Sequence, residues 1–354
     1  MFLAWKEIKF NKGKFSLIMG LIVLITYLVY FLTSLAYGLA SSYTNGINKV
    51  GADYIVLSTD GNDNVMMSRM GQADYDNVVT SGVKEKFGLF PAVIMNYNDP
   101  NMIDSKEEIY VFGIDNVNFF LPNESNLNSL ADNEIIIDSS VKELGYEIGD
   151  EVSISGTDLR WTIVGFTNKA TYQTAPIVYT SLNTWSDYRF SSNVSDIYNA
   201  ILVKGTVDSV SDDLSIYTIG EYISTLPGYT AQVLTFSMMI GFLIIIIAFV
   251  LGIFVYVLTI QKVSMFGVMK AQGISNLYIG LSVIYQTFLI VLIGSLIGFG
   301  LTMLTGYFLS GIVPFATNYL FYGLITLGFF IFSILGGLFS VSTIVKIDPL
   351  KAIG

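Results

Sequence analysis

The chain alternates between long stretches without charge and one long stretch dense with it. No Asp, Glu, Lys or Arg occurs over 271–345, between Glu221 and Lys262, or between Lys14 and Lys49. A soluble domain needs charged side chains at short intervals to face water. A helix needs about 20 apolar residues to cross a bilayer core of roughly 30 Å. The two shorter runs each supply one span, 15–40 and 233–260, and the longest supplies two, 278–310 and 319–345, divided by a short loop at 311–318. The pattern predicts four transmembrane helices.

The segment between the first two spans, 41–232, has a different period. Short β-branched or aromatic runs lie at 52–58, 108–113, Glu134–Asp138, 151–155, 160–165, 176–179 and 200–203. Turn clusters such as Asp60-Gly61-Asn62-Asp63 and Ser155-Gly156-Thr157-Asp158 separate them. Two short helices are expected, at 139–144 and 207–214. The expected fold class is an α-helical membrane protein with four transmembrane helices plus an α+β, β-rich extracellular domain between helices 1 and 2. No period of 20–50 residues and no low-complexity tract suggests a repeat array.

Charge orients the spans. Four crossings put both ends of the chain on one side. The short segments there, 1–14, 261–277 and 346–354, carry Lys6, Lys9, Lys12, Lys14, Lys262, Lys270, Lys346 and Lys351 against Glu7 and Asp348, a balance of +6. The 41–232 segment carries the other 10 basic and 26 acidic residues, a balance of −16. Lys and Arg in short loops mark the cytoplasmic face. Both termini are therefore expected in the cytoplasm and 41–232 outside, on a plasma membrane. The first apolar run is too long for a secretory signal core and is read as an anchor.

Composition narrows the chemistry. The chain has 354 residues, 53% of them hydrophobic, with no Cys and no His, and a mean hydropathy of +0.60. Thiol nucleophiles, imidazole bases and the usual zinc sites are excluded. No phosphate-binding Gly-x-x-x-x-Gly-Lys-Ser/Thr and no Gly-x-Gly-x-x-Gly after a strand occurs. No carboxylate pair forms a recognisable hydrolase signature. The expectation is a non-enzymatic membrane protein with no catalytic residue, no resident metal and no nucleic-acid partner. Gly294 and Gly298 form a Gly-x-x-x-Gly pair in the third span and Gly336-Gly337 lies in the fourth. Such residues let helices approach closely in lipid, either as fixed packing or as a moving contact.

Two cytoplasmic segments are amphipathic. Trp5-Lys6-Glu7-Ile8-Lys9 precedes the first span. The 261–275 segment mixes Val263, Met265, Phe266, Val268 and Met269 with Lys262 and Lys270, and Gly273 breaks it. Such a stretch can lie on the membrane surface, dock into a partner's groove, or serve as an ordinary basic loop.

Phe266-Gly267-Val268-Met269-Lys270-Ala271-Gln272-Gly273-Ile274-Ser275 resembles the loop after the second span of FtsX/MacB-type ABC permeases. Asp348-Pro349-Leu350-Lys351-Ala352-Ile353 resembles the tail of that family. Glu134-Ile135-Ile136-Ile137 with Leu144-Gly145-Tyr146-Glu147-Ile148-Gly149-Asp150, then Arg160-Trp161-Thr162-Ile163-Val164-Gly165 and Tyr179-Thr180-Ser181-Leu182, resemble its outer domain. The resemblance implies a homodimeric permease driven by two separate ATPase subunits, which carry the ATP and Mg. It also implies coupling to the ATPase through Met265, Phe266, Met269, Lys270, Gly273 and Ser275. Within the family, Leu3-Ala4-Trp5-Lys6-Glu7-Ile8-Lys9 with Lys12, Lys14 and Phe15 resembles the haem-efflux (HrtB-type) permeases of Gram-positive bacteria.

That branch makes haem the expected substrate rather than a permanent cofactor. Without His, Tyr, Met and carboxylate groups remain as iron ligands. Candidates are Glu221, Tyr222, Tyr229, Met238 and Met239 before and within the second span, Tyr37 and Tyr43 flanking the ring, and Lys49 pairing with a propionate. Each also has an ordinary role: interfacial Tyr anchor helices, Met pack on lipid, Glu221 sits in solvent, and Lys49 snorkels. Two other functions stay open. One is a signal transmitter that moves an extracellular hydrolase or a sensor without transport, and the other is export of antimicrobial peptides.

Overall fold

The computed structural model describes residues 12–97, 106–122, 128–155, 157, 159–190, 196–309 and 312–345. The amphipathic stretch at 5–9 and the tail at 348–353 lie outside the described residues. The chain divides into two compact units, Met1–Gly38 with Val233–Gly354, and Leu39–Gln232.

In chain order the helices are α1 (Lys12–Val50), α2 (Gln72–Asn77), α3 (Val117–Phe120), α4 (Leu182–Phe190), α5 (Ile219–Thr225), α6 (Tyr229–Ile260), α7 (Val263–Ala271), α8 (Asn276–Leu309) and α9 (Tyr319–Val345). Four of them, α1, α6, α8 and α9, are long and apolar enough to cross a membrane. Among these, α1 continues well past the expected span end at residue 40. It runs unbroken through Asn45-Gly46, a pair that ordinarily marks a turn, and stops where Gly51 adopts a positive φ of 65°.

The helical unit is held by close seams. A Cβ on Gly294 would lie 2.5 Å from Ile22 Cγ2, and one on Gly298 would lie 2.3 Å from Thr26 Oγ1 and 2.9 Å from the Tyr27 nitrogen. Small residues on α8 thus bring its backbone against α1. The single proton of Thr26 Oγ1 is shared between the carbonyls of Ile22 (2.8 Å) and Gly294 (3.1 Å). The glycine pair packs tightly inside one chain. On α9, Gly336 meets Gly252 of α6, and Gly337 meets Ile284 of α8. Tyr30, Phe299, Tyr322 and Phe329 pack ring against ring between α1, α8 and α9.

The second unit is built on β1 (Tyr54–Ser58), β2 (Val79–Thr80), β3 (Val83–Asn96), β4 (Glu107–Ile114), β5 (Glu134–Asp138), β6 (Glu151–Ile154), β7 (Arg160–Thr167), β8 (Thr171–Tyr172), β9 (Ala175–Ser181), β10 (Ala200–Lys204), β11 (Val207–Ser209) and β12 (Leu214–Thr218). The main sheet runs β12-β1-β10-β3-β4-β9-β5-β7-β6, and β6 pairs back to β3. Six strands therefore close a ring, and β10, β1 and β12 extend from the first half of β3. Alternation sorts the side chains. Ile135, Ile137, Val111, Val152, Trp161 and Val178 share one core. Ile136, Phe112, Ile177 and Tyr179 turn to a second, which takes Ile47 and Val50 from the end of α1. Paired Gly88 and Gly113 make the slot for Trp185, where a Cβ would lie 2.4 and 2.6 Å from its side chain.

The helix expected at 207–214 is not there. Val207–Ser209 is strand β11 and Leu214 opens β12. Ser and Asp between them compete for the backbone: Ser211 Oγ bonds Asp213, and the Leu214 nitrogen donates to the Ser211 carbonyl at 3.1 Å, forming a turn. The segment 139–144 is helical, as a 3-10 turn. Strand β3 was not expected, because Lys84-Glu85-Lys86 and Pro91 obscure its alternation.

Candidate functional site

Two clusters carry the sequence candidates. The first lies in the β-rich unit, where α1 ends and α6 begins. Leu226 ends α5, Gly228 takes a positive φ of 78°, and Tyr229 opens α6 with its nitrogen donating to the Leu226 carbonyl at 3.1 Å. This turn brings the rings of Tyr43 and Tyr229 to 6.0 Å, and Tyr43 Oη donates to the Pro227 carbonyl at 3.5 Å. Both rings are half-buried, so each keeps an accessible edge.

Glu221 stands in the first turn of α5, exposed. Its Oε2 accepts from the Thr218 backbone nitrogen and from Thr218 Oγ1, both at 2.8 Å, while Thr218 Oγ1 accepts from the Glu221 nitrogen at 3.2 Å. This reciprocal cap satisfies helix donors that would otherwise lack partners. The backbone bond to Thr218 holds the carboxyl below its usual pKa, so it stays ionised.

Tyr222, also a candidate ligand, lies in the core of the β-rich unit. It is 1% exposed, and its hydroxyl is 2.8 Å from that of Tyr172. Burial pushes Tyr222 well above the ordinary tyrosine range and Tyr172 up to about 12. Lys49 is also engaged inside the unit: its Nζ donates to Thr167 Oγ1 at 2.6 Å and to the Asn168 carbonyl. In the helical unit, Tyr37 packs edge-on to Phe321 at 5.8 Å, and Met238 and Met239 are exposed along α6.

The second cluster is α7. Phe266 is buried with Val255 of α6 and Ile279 and Val283 of α8, while Met265 and Val268 face outward. Its end is a Schellman cap: the Gly273 nitrogen donates to the Lys270 carbonyl and the Ile274 nitrogen to the Met269 carbonyl, both at 3.0 Å. Gly273 has a φ of 84°, which accounts for glycine there. Ser275 Oγ then accepts from the Tyr278 nitrogen at 3.3 Å at the start of α8. Lys262 Nζ donates to Gln286 Oε1 at 3.1 Å. The cluster thus presents an exposed apolar face on an anchored short helix.

Residues 231–349, covering α6 to α9, match the FtsX-like permease C-terminal domain. Full-length relatives extend the match to both units. Two strains of Staphylococcus epidermidis have proteins 30% and 29% identical over 367 residues, and Staphylococcus haemolyticus has one 26% identical over 366 residues. Each alignment covers 100% of this chain and 99% of the relative. The chain belongs to the FtsX-like family of ABC transporter permeases.

All three relatives are named as candidate hemin transport system permease proteins, HrtB. A permease of this family is a membrane-spanning transporter subunit. Among the described residues, its helical unit has open apolar grooves in two places. One, of about 540 Å³, lies beside Phe249, Gly252, Tyr256 and Leu335, and the other, of about 490 Å³, beside Tyr278, Tyr285, Phe288 and Ile334. Sequence reasoning named neither Gly46 nor the Gln173-Thr174 turn, which the structure places together. The available signal was a glycine inside an otherwise good helical run.

Proposed function

We propose that this permease exports haem from the membrane to the outside as the transport subunit of an ATP-driven pump. It works as a homodimer with two partner ATPases, with both termini in the cytoplasm and the β-rich unit outside. The observation that carries this reading is full-length similarity to relatives named for hemin transport. The charge balance of +6 against −16 supports the orientation. Exposed Glu221 and the open edges of Tyr43 and Tyr229 are the oxygen donors the β-rich unit offers to ferric iron. Tyr37, Met238 and Met239 are the candidates in the helical unit. In a two-fold dimer each of these groups occurs twice. The exposed face of α7, with Met265 and Val268 and the half-buried Met269 and Lys270 beside it, is the surface for the ATPase.

The test is haem titration of the permease purified with its ATPase in lipid, reading the Soret band and ATP turnover. Glu221→Gln is the informative variant, because Gln retains the cap on Thr218 while removing the charge. A saturable Soret shift near one haem per dimer, coupled to turnover and weakened in the variant, is expected. A shift that does not saturate, in complex with active ATPase, refutes haem as substrate and favours the signal-transmitting alternative.

A further inference from the structure

The two-residue turn between β8 and β9 is strained and docked. Tyr172 pairs with Ala175, so Gln173 and Thr174 form the whole connection, with φ of 47° and 74°. Such primed turns normally use Asn-Gly or Gly, since positive φ at both positions disfavours residues with a Cβ. A β-branched Thr there is a conformational outlier. Strain of this kind persists where surroundings over-determine the backbone.

Those surroundings are the last turns of α1. The Thr174 nitrogen donates to the Ser42 carbonyl at 3.2 Å and the Gln173 nitrogen to the Tyr43 carbonyl at 3.0 Å. Carbonyls inside a helix are normally screened by the side chains of the next turn. Here that turn holds Gly46, and a Cβ on it would lie 2.0 Å from Ile177 Cδ1 and 3.1 Å from the Thr171 carbonyl. The missing side chain therefore permits the approach. Asn45 Nδ2 donates to Thr171 Oγ1 at 3.4 Å, and one turn on Lys49 holds Thr167 and Asn168. From the hairpin, β9 runs between β4 and β5 in the closed ring.

We propose that the β8–β9 hairpin is a rigid joint that makes the end of α1, residues 39–50, and the ring move as one body, with Gly46 and the Gln173-Thr174 turn as its positioning residues. This rests on the ATP-driven cycle proposed above. Main-chain bonds on both sides resist sliding along the helix, because a shift of one residue removes both acceptors at once. Movement of that end of α1 is then delivered to the centre of the sheet through β9 rather than lost in a loop.

The experiment uses the whole permease with its ATPase in lipid, and reads hydrogen exchange with and without ATP. Wild type is expected to show ATP-dependent change in α1 and in β4 and β9. Gly46→Leu is expected to lose the change in β4 and β9 while keeping it in 12–38, with exchange in α8 and α9 unaltered. The chain contains no cysteine, so a second variant, Asn45→Cys with Thr171→Cys, isolates the same contact. Its oxidised form is expected to keep the wild-type response. An unchanged response in folded Gly46→Leu overturns the joint alone. A response lost on oxidation and restored by reductant also overturns it, because the hairpin must then release. If Gly46→Leu fails to fold, the cysteine pair decides. No ATP response in wild type overturns the joint and the ATP-driven reading together. Haem titration stands apart from all of these outcomes.

Discussion

The seam between α1 and α8 can be tested at two glycines two residues apart. At Gly298 an added Cβ meets Thr26 Oγ1 at 2.3 Å and the Tyr27 nitrogen at 2.9 Å. The hydroxyl is committed to the Ile22 and Gly294 carbonyls, and the Tyr27 nitrogen is main chain, so neither yields without moving α1. Overpacking of this kind costs roughly 1–3 kcal/mol, and the bond to Gly294 is worth about 0.6 kcal/mol more in a membrane setting. Against this, Gly to Ala in a helix gains about 0.5–1 kcal/mol. Gly298→Ala should therefore destabilise by about 1–3 kcal/mol. Gly300 on the same helix has nothing within 4 Å of an added Cβ. Gly300→Ala keeps only the propensity term, a gain of about 0.5–1 kcal/mol. Equilibrium unfolding in mixed detergent micelles measures both against wild type. Equal stability of the two variants, or a more stable Gly298→Ala, refutes the close-seam account.

Two further outcomes concern the other contacts. Tyr222→Phe removes the hydroxyl bond between Tyr222 and Tyr172 in the core and should cost about 1–2 kcal/mol in thermal unfolding. Because burial raises both phenols, their contribution is complete below the ordinary tyrosine pKa near 10 and is lost as pH rises toward and past the Tyr172 value of about 12. Tyrosinate absorbance should accordingly show the Tyr172 and Tyr222 phenols, with buried Tyr198, titrating only with unfolding, and titration of every tyrosine near pH 10 in folded protein would contradict the buried pair. Gly273→Leu forces a side chain onto a φ of 84° and weakens the cap that ends α7. The permease should stay folded, yet its substrate-dependent ATP turnover with the partner ATPase should drop, and normal turnover would remove α7 from the coupling path.

Physical period decided what could be read in advance. Charge-free length is a property of the segment itself, so all four long helices stand out. Strand β5 is legible residue for residue, because Glu134–Asp138 is a β-branched run that packs on both sides. The break at Gly273 is legible for the same local reason, a left-handed residue after a helix. β3 is hidden because its polar and proline positions belong to two pairings. Its first half borders β10, and its second half borders β4 and β6. The 207–214 segment misleads because a helical count of apolar residues ignores Ser and Asp competing for the backbone.

Contacts distant in sequence escape such reading, and the candidate tyrosines illustrate why. Tyr222 and Tyr229 lie two turns apart in the chain, both near an expected membrane boundary. Tyr222 becomes core because Tyr172 stands ready to share its hydroxyl, and Tyr229 stays half-open because Gly228 turns the chain toward Tyr43. Three glycines along or just past α1 make the point more sharply. Gly38 admits the Pro314 carbonyl, where a Cβ would lie at 2.0 Å, and Gly46 admits the β8–β9 hairpin, while Gly51 ends the helix. Propensity treats all three as weak points in a helix. Two of them are instead where another segment reaches the helix backbone, and substitution at Gly46 should act through the hairpin it admits rather than through helix stability.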